Sequence, residues 1–276
     1  VNGTDRRTGL PFPAFPPAAM SPPLLSTRKL RVDIGGRCVV RSLDLDVADG
    51  RRIAVLGRNG AGKSTLLATL AGLRPPVGGS VLLGGDDATT LRPREAARRR
   101  AWLGQAQADP FGSTVLETAL TGRHPHLGRW DWESRHDARI ARDALAAVGL
   151  AGLEARQVHT LSGGERQRLA IATLLTQAPP LYLLDEPLAH LDLNHQMATL
   201  ELFSGAARQC GAGIVMVLHD PALAHRYCDE ALLLHGDGRT ELGSVDAVLT
   251  GERLHELYGY PLRQFDDGGH RCFLPA

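Results

Sequence analysis

The stretch IAVLGRNGAGKST, residues 53–65, joins an apolar run to a glycine-rich loop and then to the start of a helical pattern. It fits G-x-x-x-x-G-K-[ST] at Gly57, Gly62, Lys63 and Ser64. A loop of Gly57, Arg58, Asn59, Gly60, Ala61 and Gly62 can turn its backbone N–H groups inward around phosphate oxygens. A helix opening at Lys63, Ser64 and Thr65 adds the positive end of its dipole. Of the 31 basic residues, 29 are arginine and only Lys29 and Lys63 are lysine. A lysine inside this loop marks a space that wants a compact charge on a flexible stem, which a broad planar guanidinium fits poorly. The Ser64 hydroxyl suits Mg²⁺.

Outward from this loop, short apolar runs alternate with helical patterns. LRVDI, CVVRSLDLDV and RRIAVLG, broken by GG and DG, read as strands, as do LYLLD (181–185), GIVMVLHD (213–220) and ALLLHGDG. STLLATLAGL, residues 94–100 and residues 133–150 read as helices, and Arg98, Arg99 and Arg100 as a solvated helix face. LRPPVGG and QADPFGST read as loops. This alternation predicts an α/β fold with a mostly parallel sheet covered on both faces. LYLLDEP then brings Asp185 and Glu186 to the carboxyl end of a buried strand, where open α/β sheets bind ligands. Asp185 suits Mg²⁺, and Glu186 suits orienting or deprotonating a water.

Composition narrows the class. A net charge of +1 offers no global basic field for nucleic acid. The four cysteines are far apart, which argues against a disulfide framework or zinc site and for a reducing compartment. No apolar run reaches the ~18 residues of a membrane span. The proline-rich residues 1–25 are expected to be an extended tail, with Met20 as an alternative start and residues 26–276 as the folded domain.

TLSGGERQRLAIATLL, residues 160–175, is more discriminating. It is a Ser-Gly-Gly turn opening an amphipathic helix, a second anion-binding N-terminus. With this stretch, residues 28–275 resemble the ATP-binding subunits of ABC transporters, with Leu161, Ser162, Gly163, Gly164 and Glu165 as the signature motif. The resemblance implies a P-loop NTPase (RecA-like) core with a mostly parallel sheet, an N-terminal antiparallel β subdomain, and an α-helical subdomain near residues 90–170 that carries the signature. It implies a head-to-tail homodimer in which Ser162 and Gly164 of one subunit close over ATP·Mg²⁺ held by the other. Gln105 corresponds to the Q-loop glutamine that contacts Mg²⁺, Asp192 to the D-loop residue and His219 to the switch histidine. One departure is Ile34, at a position where the family commonly stacks an aromatic residue on adenine.

A detached ATP subunit with one phosphate loop and no long heptad run resembles a bacterial importer component. The alternative is a soluble ABC ATPase without a permease. LTGRHPHLGRW (120–130) is similar to a segment of the ATP subunits that import iron–siderophores, haem and vitamin B12. LYGYPLRQFDDGGHRCFL (257–274) is similar to the end of the vitamin B12 importer's ATP subunit. The implied partners are a membrane permease dimer and, indirectly, a periplasmic substrate-binding protein, with no nucleic acid. The implied location is the cytoplasmic face of the inner membrane.

Overall fold

β1 (Leu25–Ile34) and β2 (Arg37–Val47) form an antiparallel hairpin closed by Gly35 and Gly36. Both glycines take positive φ, as a two-residue turn matched to the strand twist requires. The structure is a computed structural model describing residues 22–104, 112–128 and 130–276. The apolar run before the glycine loop is β3 (Arg52–Gly57), and the helix after the loop is α1 (Lys63–Leu70). β4 (Gly78–Leu83) and the two-residue β5 (Asp86–Asp87) complete a four-stranded antiparallel sheet of order β2-β1-β4-β5.

The chain continues through α2 (Pro93–Arg99), β6 (Arg100–Leu103), α3 (Val115–Leu120), a 3-10 segment at Thr121–His126, α4 (Arg135–Ala147) and α5 (Gly163–Gln177). β7 (Leu181–Leu184), α6 (Leu193–Cys210), β8 (Gly213–Val217), α7 (Pro221–Tyr227), β9 (Glu230–Leu234) and β10 (Thr240–Ser244) follow. Last come α8 (Val245–Val248), α9 (Gly251–Tyr258) and a hairpin of β11 (Leu262–Asp267) and β12 (His270–Pro275).

The second sheet has order β10-β9-β3-β8-β7-β6, with β3, β6, β7, β8 and β9 parallel. Its inner strands are apolar at successive positions because both faces are covered. Ala54, Leu56, Tyr182, Leu184, Ile214 and Met216 face a core built with α3 to α9. Their neighbours Ile53, Val55, Leu181, Leu183, Val215 and Val217 face a second core, shared with α1 and the antiparallel sheet. The arrangement is the expected mostly parallel sheet with an antiparallel β unit and a group of helices.

Three local expectations are corrected. Arg100 opens β6 instead of closing the preceding helix, and in the arginine run only Arg98 is solvent-exposed, Arg99 and Arg100 being half-buried. The Arg98 Nε donates to the Pro125 carbonyl at 2.7 Å, and the Arg100 Nε to the Ala71 carbonyl, just past the end of α1, at 2.6 Å. Arg99 bridges to the Leu83 carbonyl and to Asp86. Each guanidinium satisfies a carbonyl left over at the edge of another element, a role no local charge pattern discloses. The LRPPVGG loop is also shorter than expected, since Gly78 and Gly79 already belong to β4.

Candidate functional site

β3 ends at Gly57, and the chain must turn at once into α1. A Cβ at Gly57 would lie 2.6 Å from the Leu234 carbonyl oxygen. At Gly62 (φ 96°) it would lie 2.3 Å from Val39 Cγ1, so only glycine fits. α1 has no side-chain cap, so its first N–H groups stay open to a ligand. Lys63 is 6% exposed and folds back over the loop, its Nζ donating to the carbonyls of Gly57 (2.8 Å) and Arg58 (3.2 Å). Burial pulls its pKa below the ordinary lysine value, while Glu186 and Asp185 oppose that pull.

β8 lies beside β3 and β7 beside β8, all three parallel, so their carboxyl ends share one edge of the sheet with the glycine loop. Asp185, just past β7, is 3% exposed, and its N–H is tied to the Leu103 carbonyl at 2.9 Å. Burial pushes the carboxyl above the usual range, although the Ser64 hydroxyl hydrogen-bonds to it. Its buried Oδ1 has no hydrogen-bond partner among the described residues. A hydroxyl and an unsatisfied carboxylate oxygen beside a phosphate loop fit a hard divalent cation. Glu186 follows with φ 50°, a left-handed conformation unusual for a non-glycine residue, and its Oε1 lies 3.0 Å from His219 Nε2.

Asn59, Gly60, Gly62, Lys63, Ser64, Thr65, Glu186 and His219 line one open cleft of about 520 Å³, with Ile34 at its wall. Three sequence motifs spread over more than 150 residues thus meet in one place. Ile34 is 44% exposed there and offers an aliphatic surface where the family commonly has an aromatic ring.

The signature residues do not line this cleft. Ser162 caps α5 through a reciprocal box: its Oγ accepts from the Glu165 N–H (3.2 Å), and Glu165 Oε2 accepts from the Ser162 N–H (2.8 Å). Leu161 is buried, whereas Ser162 and Gly163 face solvent. Asp192 caps α6, accepting from the His195 N–H at 2.9 Å and contacting His195 Nδ1 at 2.8 Å. Those contacts hold its carboxyl below the usual range. Gln105 lies outside the described residues, as does its neighbour Gln107. Sequence reasoning missed Gln167 and Gln196, which brace the carboxylate loop. The Gln167 Nε2 donates to the Pro187 carbonyl (3.1 Å) and the Gln196 Nε2 to the Leu191 carbonyl (3.0 Å). A glutamine on the helix opened by the signature is the one signal that could have suggested the first.

The family profile for ABC transporters matches residues 40–189, more than half of the chain. This chain belongs to the ABC transporter family. As an ABC protein it has the fold of the family's ATP-binding subunits. A hemin import ATP-binding protein of Burkholderia pseudomallei is 38% identical over 92% of this chain and 100% of its own length. One from Streptomyces coelicolor is 41% identical over 91% of this chain and 88% of its own. A cobalamin import ATP-binding protein of Halobacterium salinarum is 40% identical over 85% of this chain, which spans only 58% of that longer protein. A solved metal-chelate type ABC transporter in an inward-facing conformation superposes with a TM-score of 0.79 at 29% identity, over 92% of this ABC chain and 97% of that one.

Proposed function

We propose that this chain is the ATP-hydrolysing subunit of an importer for a metal chelate, with cobalamin, haem and ferric siderophores as the candidate cargo. The carrying observation is the Glu186–His219 pair, 3.0 Å apart in the cleft lined by the phosphate loop. Lys63 would leave the two loop carbonyls for the β- and γ-phosphates, gaining a charged partner for a partly desolvated ammonium. Ser64 and Asp185 would hold Mg²⁺, with Gln105 as a further ligand; bound Mg²⁺ neutralises charge building on the phosphates. Glu186 orients and deprotonates the attacking water, and His219 fixes the carboxylate while its ring faces the γ-phosphate. Asn59, Gly60 and Thr65 supply the remaining phosphate contacts, and aliphatic Ile34 packs on adenine.

The exposed Ser162–Gly164 turn supports a head-to-tail homodimer, in which each signature turn closes over ATP on the other chain, with Asp192 at the seam. ATP favours the closed pair and hydrolysis releases it, a movement that the Gln105 segment would pass to a permease dimer. No helix among the described residues is long and apolar enough to cross a membrane. By its likeness to import ATP-binding proteins the subunit would sit peripherally on the cytoplasmic face. A substrate-binding protein would deliver the cargo from outside.

Replacing Glu186 by Gln should cut ATP turnover by about 10²–10⁴-fold, as for loss of a general base, with ATP still bound. Uptake of labelled cobalamin, haem and a ferric siderophore by cells with either gene then identifies the cargo. Unchanged turnover would remove the role of Glu186; normal uptake of all three would remove the import reading.

A further inference from the structure

The loop that carries Glu186 sits on the opening turns of α5. The Gln167 Nε2 donates to the Pro187 carbonyl at 3.1 Å and lies 3.5 Å from the Glu186 carbonyl oxygen. One turn earlier, a Cβ on Gly164 would stand 3.0 Å from the His190 carbonyl oxygen, so the backbone of the signature turn abuts the same loop. Two features oppose the conformation of that loop. Glu186 and His190 take φ of 50° and 62° without being glycine. Glu186 also precedes a proline, which steers a residue toward extended backbone. Such a backbone persists only where its surroundings hold it. Part of the hold is internal, since the Ala189 N–H donates to the Glu186 carbonyl at 3.1 Å. Pro187 has no N–H to add, and its carbonyl is held by Gln167. Held this way, Glu186 places its Oε1 3.0 Å from His219 Nε2.

We propose that Gln167 is a positioning residue for Glu186: it fixes the peptide that aims the carboxylate. Gln167 does not line the cleft itself and acts through that backbone. This role rests on the reading of Glu186 as the base and deepens it. The residue type fits the task. The chain is rich in arginine, and Arg166 and Arg168 flank this position. Their guanidinium groups turn to other carbonyls, Arg166 to His159 at 3.0 Å and Arg168 to Val148 and Gly149 at 3.0 Å each. A neutral amide stands between them and faces the carboxylate loop. It donates to a carbonyl without bringing a cation beside Glu186, where a fixed positive charge would weaken the carboxylate as a base.

The test compares ATP hydrolysis and fluorescent-nucleotide binding in variants of the full chain at about pH 8, where histidine is neutral. Gln167→Met removes the donor and keeps an unbranched side chain that favours a helix. Its kcat should fall about tenfold, as for one lost hydrogen bond, with KM and nucleotide affinity unchanged. Gln167→Leu, a second deletion of the donor, should do the same. Gln167→His, whose ring N–H reaches about as far as the amide, should restore kcat to within about twofold of the parent. The double variant Glu186→Gln, Gln167→Met should turn over within about twofold of Glu186→Gln alone, because a residue that acts through Glu186 then has nothing left to aim. A further loss of about tenfold in the double variant, parent activity in both deletions, or no rescue by histidine in a folded protein overturns the proposal. Glu186→Gln separates the two readings. Parent-level turnover in that variant alone removes the base reading, whereas an inactive Glu186→Gln beside a fully active Gln167→Met removes only the positioning role.

Discussion

Four non-glycine residues among those described hold φ in the left-handed region: Lys29, Ala178, Glu186 and His190. Two of them lie in the loop after β7, which the glutamines brace, and this is the pattern of strain retained at a functional site. Ala178 is different. It closes α5 at φ 51°, with its N–H on the carbonyls of Leu174 and Leu175, a C-terminal position where glycine carries no Cβ penalty. Ala178→Gly should therefore stabilise the chain by about 0.5–1 kcal/mol, seen as a raised melting temperature with turnover intact. Gly62→Ala has the opposite sign, because its Cβ would enter Val39; loss of ATP binding in a fluorescent-nucleotide titration is expected. Lys63 and Ser64 were readable in the sequence because they close a glycine loop between a strand and a helix, and Asp185 and Glu186 because they follow directly on the strand that aims them. Gln167 was not, because the carbonyl it supports lies 20 positions away and meets it only through packing.

Among the elements, α5 carries contacts at both ends. Its N-terminus is the capped signature turn. Near its C-terminus the Thr176 carbonyl accepts from Arg123, and the Gln177 side chain donates to the Arg100 carbonyl at 2.9 Å. Arg123 also pairs with the buried Asp137 of α4 at 2.8 Å. Burial alone would raise the Asp137 carboxyl. The Ser134 hydroxyl and N–H together with Arg123 outweigh it and hold the pKa at about 2. An unfolded aspartate titrates near ~3.9, so the pair's stabilisation is fully present above that pH and is lost as pH falls toward the folded value. Asp137→Asn should cost about 2 kcal/mol at neutral pH. It should also flatten the loss of stability between roughly pH 4 and pH 2, measurable by urea unfolding across that range. An equal slope in variant and parent would remove the pair from the acid response. The helices at residues 94–100 and 133–150 were legible from their charged faces, but α3 and β6 were not. Arg100 looks like the end of a helical arginine run until the Ala71 carbonyl, 29 residues earlier, is brought within reach.

At the scale of the whole molecule, the phosphate loop and the signature turn are both exposed, yet the fold keeps them apart. Neither completes an ATP enclosure within one chain, so the proposed enclosure needs a second copy, and two-fold symmetry makes two equal sites. Complementation between dead variants tests this. Lys63→Ala removes the phosphate contact but leaves that chain's signature intact. Ser162→Arg blocks the signature but leaves that chain's phosphate loop intact. Each variant alone should be inactive, because every site in its homodimer contains the defect. In an equal mixture about half of the dimers are mixed. Each mixed dimer has one site with both lesions and one with neither. If the sites turn over independently, the mixture should recover about a quarter of the parent rate. Recovery should grow with total protein concentration, because it depends on pairing. Ser162→Arg also removes a helix cap at a cost of about 1 kcal/mol, so its melting temperature is measured alongside. A mixture as inactive as its components, with both variants folded, would mean either that one chain hydrolyses ATP alone or that one damaged site silences both. Dilution of the parent separates these two cases: a specific rate independent of concentration, with the chain monomeric by sedimentation, leaves only the first.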